Sequence, residues 1–177
     1  MSALFYTRID DSPVGPLLLA GDSDALHVLS FGAPAGGRKK LHASRPREID
    51  ALWRPDTKGV LNDVRKELDR YFAGTLKQFS TKLAFNGTAF QNEVWKQLTR
   101  IPYGETISYL DLAKRIDHPK AVRAVGMANG ANPIAIIVPC HRVIGSNGTL
   151  TGYGGGLETK SWLLSHERRW AREPALF

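Results

Sequence analysis

The chain has a single cysteine, Cys140, in 177 residues, and this scarcity excludes an intrachain disulfide and any cysteine-rich zinc site. It also lacks a run of about 20 apolar residues, so no membrane-spanning helix is expected. Met1-Ser2-Ala3 carries no basic and apolar leader ending in small residues, and export is not expected either. The expectation is a soluble, cytoplasmic monomer in a reducing compartment, with no metal and no cofactor. Acidic residues are few: 17 Asp and Glu stand against 24 Lys and Arg, a formal net charge of +7. That excess favours a polyanionic partner, but it is spread over both halves of the chain, so any footprint must come from a motif. What is present is enough length to bury a core in one domain or two small ones.

The first third alternates short apolar runs with turn residues. Leu4 to Ile9, Pro16 to Ala20 and Ala25 to Phe31 read as strands of an antiparallel meander, separated by Asp10-Asp11-Ser12-Pro13 and Gly21-Asp22-Ser23-Asp24. Residues 32–59 turn to Gly, Pro, Arg and Lys without periodicity and read as an exposed, mobile loop. Its Arg38-Lys39-Lys40 run is a solvated loop in one reading and a phosphate contact in the other. Val60, Leu61, Val64, Leu68 and Phe72 recur at helical spacing before a stop at Gly74, and Phe79 to Phe85 reads as one more strand. These elements make an α/β N-terminal domain over 1–85, a small antiparallel sheet plus a helix.

A mostly α C-terminal domain over 86–177 follows. Phe90, Val94, Leu98 and Ile101 line one helix, and Tyr109 to Ile116 forms a second, with Ser108 or Thr106 as N-cap. After the turn Asp117-His118-Pro119, Lys120 to Asn129 forms a third, with Val122 and Val125 inward and Lys120, Arg123, Ala124 and Met127 outward. Two helices across a tight turn make a helix-turn-helix candidate, whose small outer face permits close approach to a groove. Asn147-Gly148 signals a hairpin between Val143-Ile144 and Leu150-Thr151. Gly152 to Gly156 is a backbone-exposing loop around Tyr153, and Leu157 to Arg169 closes the chain as a helix.

Ile136 to Val143 is the segment with chemistry in it, a strand-like apolar run ending in Pro139, Cys140 and His141. A thiol attacks as thiolate, and a nearby imidazole or cation is the usual means of forming one. A lone cysteine after such a run is also a common small core residue, so Cys140 and His141 alone leave both readings open.

The surrounding residues resemble the O6-alkylguanine-DNA alkyltransferases. The match runs through Gly87-Thr88-Ala89-Phe90-Gln91, Pro102-Tyr103-Gly104-Glu105-Thr106, Ser108-Tyr109, Arg123-Ala124-Val125-Gly126, Asn132-Pro133, Pro139-Cys140-His141-Arg142-Val143, Gly152-Tyr153 and Leu163-Leu164-Ser165-His166-Glu167. It covers about half the chain in order, and its Pro-Cys-His-Arg-Val string is the specific part. The resemblance implies a protein that enters the minor groove of double-stranded DNA, rotates an O6-alkylguanine out of the stack, and moves the alkyl group irreversibly to Cys140, with O4-alkylthymine as a second lesion. By the same resemblance, His141 deprotonates Cys140 through a water, Glu167 orients the imidazole, Tyr109 protonates the leaving base, and Asn132 braces the active-site turn. Arg123 fills the vacated stack, with Lys120, Ala124, Tyr109 and Ser108 at the DNA, while Pro139, Val143, Tyr153 and Gly154 line the base pocket. The cysteines of the zinc site in mammalian members are absent, and Gly154 stands where some members carry a hydroxyl residue. Two rivals remain: a non-catalytic alkylguanine-binding module, which Cys140 argues against, and a cysteine hydrolase, which would turn over.

Overall fold

The computed structural model describes residues 4–32 and 52–172. Most of the expected loop at 32–59, with Arg38-Lys39-Lys40, therefore lies outside the described residues.

The N-terminal sheet is built around β2 (Leu17–Gly21), buried along its whole length. Its continuous Leu-Leu-Leu-Ala run is the pattern of a strand covered on both faces. β1 (Phe5–Ile9) pairs with it antiparallel on one side and β3 (Leu26–Phe31) on the other. The sheet is not purely antiparallel, because β4 (Arg54–Pro55), inside the stretch read as loop, pairs parallel with β1. Two residues are too short to announce themselves as a strand by alternation. The strand expected over Phe79 to Phe85 reduces to one bridge, where Leu26 donates to the Lys82 carbonyl and accepts from Ala84 N. α1 (Asn62–Phe72) packs Val64, Leu68 and Tyr71 inward. The turn leading into it is held from upstream: the Asp56 carboxylate accepts from the backbone N–H groups of Gly59, Val60 and Leu61 at 2.8–3.0 Å.

α2 (Ala89–Leu98) starts on a capping box in which Thr88 and Gln91 exchange hydrogen bonds. α3 (Tyr109–Arg115) repeats the device with Ser108 and Asp111, so Ser108 rather than Thr106 is the cap. α4 (Val122–Gly130) begins two residues later than the sequence suggested, which leaves Lys120 in the turn. α2, α3 and α4 pack on one another through Val94, Trp95, Leu98, Leu112, Ala113, Val125 and Ala128. Arg123, Ala124 and Met127 stay exposed as expected. α5 (Leu157–Ala171) closes the described chain.

Two local expectations fail in the C-terminal half. The strand-like run from Ile136 is not a strand: Ile134 makes a single bridge to Leu29, and residues 135–138 are turns and a bend, with Ile136 at φ +68°, running into a 3-10 turn at Cys140–Arg142. The run is apolar because it is buried on every side, and burial sets no period. The Asn147-Gly148 turn exists, closed by Gly145 N donating to Thr149 O at 2.9 Å. Its leading strand β6 (Val143–Ile144), however, pairs parallel with β5 (Ile107–Ser108) and not with Leu150-Thr151.

One apolar core runs through both halves, from Ile9 and Leu19 of the sheet to Leu163 of α5. The β3 edge joins them. Leu29 N donates to Pro133 O at 3.0 Å and Ala135 N donates to Leu29 O at 2.8 Å, so the segment leading to Cys140 is stitched to the N-terminal sheet by main-chain bonds.

Candidate active site

Cys140 opens the 3-10 turn, and His141 follows it directly. The Cys140 Sγ lies 3.1 Å from Asn132 Nδ2, which also donates to the Val138 carbonyl at 2.8 Å, while Asn132 Oδ1 accepts from Ile134 N at 3.0 Å. Three bonds from one amide fix both ends of the turn that presents the sulfur. The thiol is buried, and burial pushes its pKa up, opposed by the Asn132 amide and the Lys160 cation. At neutral pH it rests protonated and needs a base.

His141 is fully buried. Its Nε2 is 2.8 Å from Glu167 Oε1. Burial drives the imidazole pKa down against the pull of Glu167, so the ring is neutral at pH 7. A carboxylate only accepts, which places the ring proton on Nε2 and leaves Nδ1 as an acceptor. That Nδ1 is buried and has no hydrogen-bond partner among the described residues.

Glu167 is the hub. Its two oxygens accept from Tyr71 Oη at 2.8 Å, His141 Nε2, Arg142 Nε at 2.8 Å, Arg142 Nη2 at 2.9 Å and Gly104 N at 3.1 Å. Burial alone would raise its pKa, but hydrogen bonds and charge from His141 and Arg142 reverse that and hold the carboxyl far below the usual carboxylate range. Arg142 is itself buried and spends Nη1 on the Ile101 carbonyl. Tyr71 carries no sequence signal of this role, and Arg142 stands in the Pro-Cys-His-Arg-Val string without a role assigned to it. Tyr71 looks like any core aromatic on an amphipathic helix, and only its hydroxyl, buried 96 residues from its partner, distinguishes it.

Lys160 was also missed. It is fully buried on α5 and donates from Nζ to Val143 O at 2.6 Å and Thr151 O at 3.1 Å, with the Tyr109 ring centroid 5.9 Å away. Burial lowers its pKa to about 8, against the attraction of Cys140. A lysine on the inward stripe of an otherwise apolar helix face was the available signal. Burial raises the pKa of Tyr109, which remains a phenol, and Thr151 Oγ1 donates to Tyr109 Oη at 3.3 Å.

Two confluent cavities meet here. One, of about 330 Å³, is lined by Cys140, Asn129, Asn132, Tyr153, Gly154 and the β3 residues Leu29 to Phe31. The other, about 620 Å³, lies over the helix-turn-helix and is lined by Tyr109, Arg123, Met127, Gly152, Tyr153 and Gly154. Of the residues expected around a base, Tyr153 and Gly154 border both. Pro139 and Val143 border neither, Pro139 facing a third cavity with Tyr103 and Arg142. Val143 is buried, its carbonyl taken by Lys160. Lys120 and Ala124 are exposed outside the lining, and Ser108 uses its hydroxyl in the capping box. No group of three or more potential metal ligands occurs among the described residues, nor is any described helix long and apolar enough to cross a membrane.

A small sheet domain stitched to a helix-turn-helix domain, with a hydrogen-bonded Cys and a buried His-Glu pair at the junction, defines a class: DNA-directed transferases that use a cysteine as acceptor. Comparison with known proteins agrees. Residues 4–85 match the ribonuclease-like domain of 6-O-methylguanine DNA methyltransferase, and residues 89–169 match its DNA-binding domain. A methylated-DNA–protein-cysteine methyltransferase of Methanosarcina acetivorans is 50% identical over 162 residues, 92% of this chain and 97% of that one. Its Mycobacterium tuberculosis counterpart is 47% identical over 172 residues, 97% and 96% of the two chains. The crystal structure of Mycobacterium tuberculosis OGT in complex with DNA superposes with TM-score 0.79 at 48% identity, covering 94% of each chain. The O6-methylguanine-DNA methyltransferase of Pyrococcus kodakaraensis superposes with TM-score 0.64 at 26% identity, covering 93% of this chain and 98% of that one. The chain belongs to the 6-O-methylguanine DNA methyltransferase family and is an enzyme of the methylated-DNA–protein-cysteine methyltransferase class.

Proposed function

We propose that this protein repairs O6-alkylguanine, and with it O4-alkylthymine, in double-stranded DNA by moving the alkyl group to Cys140 once per molecule. The observation that carries the reading is the pairing of a buried, hydrogen-bonded thiol with a neutral imidazole whose free Nδ1 has no other partner. His141 Nδ1 takes the thiol proton through a water, and Glu167 stabilises the resulting imidazolium. Sγ attacks the alkyl carbon, the carbon–O6 bond breaks, and the electron pair passes to the purine as leaving group. Tyr109, held as a phenol, gives its proton to N3 of that base, and the proton on His141 restores the phenol through solvent. The product is a thioether, which has no leaving group that would regenerate the thiol. Asn132 holds the sulfur in line.

The lesion inside a duplex is out of reach of a buried sulfur, so the base must leave the stack, at a cost of a few kcal/mol. Arg123, exposed on α4 beside the larger cavity, fills the gap. The minor groove suits the small side chains around it, with Lys120 on the flanking phosphates. The protein acts as a monomer. Incubation with a duplex containing O6-methylguanine, followed by intact mass measurement, tests this: one methyl on Cys140 and no further turnover is expected. Repeated turnover would move the protein to the cysteine hydrolases, and no methyl gain would sink the reading.

A further inference from the structure

Met127 is 77% exposed on α4, the second helix of the helix-turn-helix, where Leu110, the other large apolar side chain exposed on the helix pair, reaches 36%. It stands one turn beyond Arg123, so the two side chains are neighbours on one face. Both line the cavity of about 620 Å³ with Tyr109, Gly126 and Gly130. Around them the face is small: Ala124 is exposed, and Gly126 and Gly130 are half-buried. Arg123 is the sole charge on α4 from Val122 to Gly130. An exposed methionine forgoes the gain from burying its side chain, and here it is the one large apolar projection on a face with a single cation. A partner that covers such a face presents apolar surface framed by negative charge. The minor groove of an opened duplex does so, with sugars and an unstacked base step between two rows of phosphates. Methionine is among the side chains that proteins wedge into such steps.

The same side chain is open to oxidation. The chain has two methionines, Met1 and Met127, and a thioether has no proton to lose before it reacts. Cys140, by contrast, is buried and held as the less reactive thiol. We infer that Met127 is an apolar wedge beside Arg123 and a modification site at which a peroxide releases the grip on duplex DNA. A sulfur lone pair attacks one peroxide oxygen, the O–O bond breaks, and the proton left on the sulfur-bound oxygen goes to the departing hydroxide to give water. Sulfur is oxidised by two electrons to the polar sulfoxide, and the peroxide is reduced. This rests on the duplex-repair reading above and adds to it a contact and a means of control.

The test uses the full chain as wild type, Met127→Leu and Met127→Gln. Each is treated with hydrogen peroxide in mildly acidic buffer, and peptide mass locates added oxygen at Met1, Met127 and Cys140. Active thiol is titrated with free O6-benzylguanine, and affinity for an O6-methylguanine duplex is expressed per active thiol, so damage to Cys140 cancels. Wild type is expected to gain one oxygen at Met127 and to lose duplex affinity roughly tenfold, the order set by withdrawing one methionine side chain from an apolar contact. Met127→Leu, which keeps the apolar bulk without sulfur, should lose none on treatment. Met127→Gln, polar from the start, should bind more weakly by a similar factor before any treatment. The inference is overturned by an oxidised Met127 with undiminished affinity, by equal loss in Met127→Leu, by full-strength binding of Met127→Gln, or by a Met127 left intact while Met1 is converted. Absence of methyl gain by untreated wild type would instead overturn the repair reading on which the inference stands.

Discussion

At the scale of the residue, Glu167 joins function to stability. Its carboxylate accepts from five donors on four residues, two of which carry or acquire charge. Glu167→Gln should slow transfer to free O6-benzylguanine at pH 7, because the imidazole loses the partner that makes it basic and the thiol must ionise unaided. Part of the rate should return as pH rises, and an unchanged pH–rate profile would make Glu167 structural. The same change strands the Arg142 guanidinium in the interior, at a cost of about 3–5 kcal/mol, so melting must be followed alongside. Tyr71→Phe isolates a milder version. It deletes one hydrogen bond to a buried charge, about 1.5–3 kcal/mol in urea unfolding, without touching the thiol. Acid should act at the same place. The Glu167 carboxyl titrates below its unfolded value of 4.5 and the His141 imidazole below 6.5, so in acid the unfolded chain binds protons that the folded one refuses. Their stabilisation is complete above pH 6.5 and declines as pH falls, first through His141 and below 4.5 through Glu167 as well. A melting temperature that is flat from pH 7 to 4 would contradict this.

At the scale of the element, the decisive piece is the 3-10 turn, three residues long, that replaces the strand the apolar run suggested. In the turn, Cys140 lines the cavity beside Asn132 and Tyr153 while His141, next in sequence, reaches Glu167 on α5. Gly104 shows how tightly α5 is then packed. It sits at φ +79°, and a Cβ there would stand 2.6 Å from the Ala171 Cβ while its N–H serves Glu167. Gly104→Ala is expected to destabilise by more than the ~1 kcal/mol of a left-handed alanine, measured by denaturant titration. Ser108→Ala removes a capping box from α3 and should cost about 1 kcal/mol. On the proposed base-extruding reaction, Arg123→Ala on the exposed face of α4 should slow repair of O6-methylguanine in duplex more than reaction with free O6-benzylguanine, because only the duplex substrate has a stacked base to release. Equal slowing of both would remove Arg123 from that role.

At the scale of the whole molecule, the N-terminal domain is part of the site rather than an appendage to it. β3 hydrogen-bonds the chain on either side of Ile134, contributes Leu29 to Phe31 to the cavity at Cys140, and sets Phe31 against Tyr153 at 5.6 Å between ring centroids. α1 adds the Tyr71 hydroxyl to Glu167, and the Tyr71 carbonyl takes His166 Nε2 at 2.8 Å. Removing one domain would expose a shared core and break the Tyr71–Glu167 bond at once, so the two halves should unfold in a single transition; two resolved transitions in calorimetry would contradict it. The +7 net charge adds a dependence on ionic strength. Affinity for duplex should fall as salt rises, with a shallow slope because few cations border the helix-turn-helix cavity.

Local pattern was enough for whatever local physics decides. Helical spacing marked Val64 and Leu68 as inward, a hydroxyl at Thr106 or Ser108 announced a helix start, and the order of motifs from Thr88 to Glu167 carried the family. None of these needs a distant partner. β4 stayed hidden because two residues have no period, and the run from Ile136 to Val138 misled because complete burial makes turn and strand look alike. Tyr71 and Lys160 are ordinary letters in their own elements, Arg142 is one letter of a motif, and their meaning comes from groups 9 to 96 residues away. Sequence determined which groups could do the chemistry. Tertiary structure decided which of them meet, and by burying them together in a low-dielectric interior it set the protonation state each brings to the reaction.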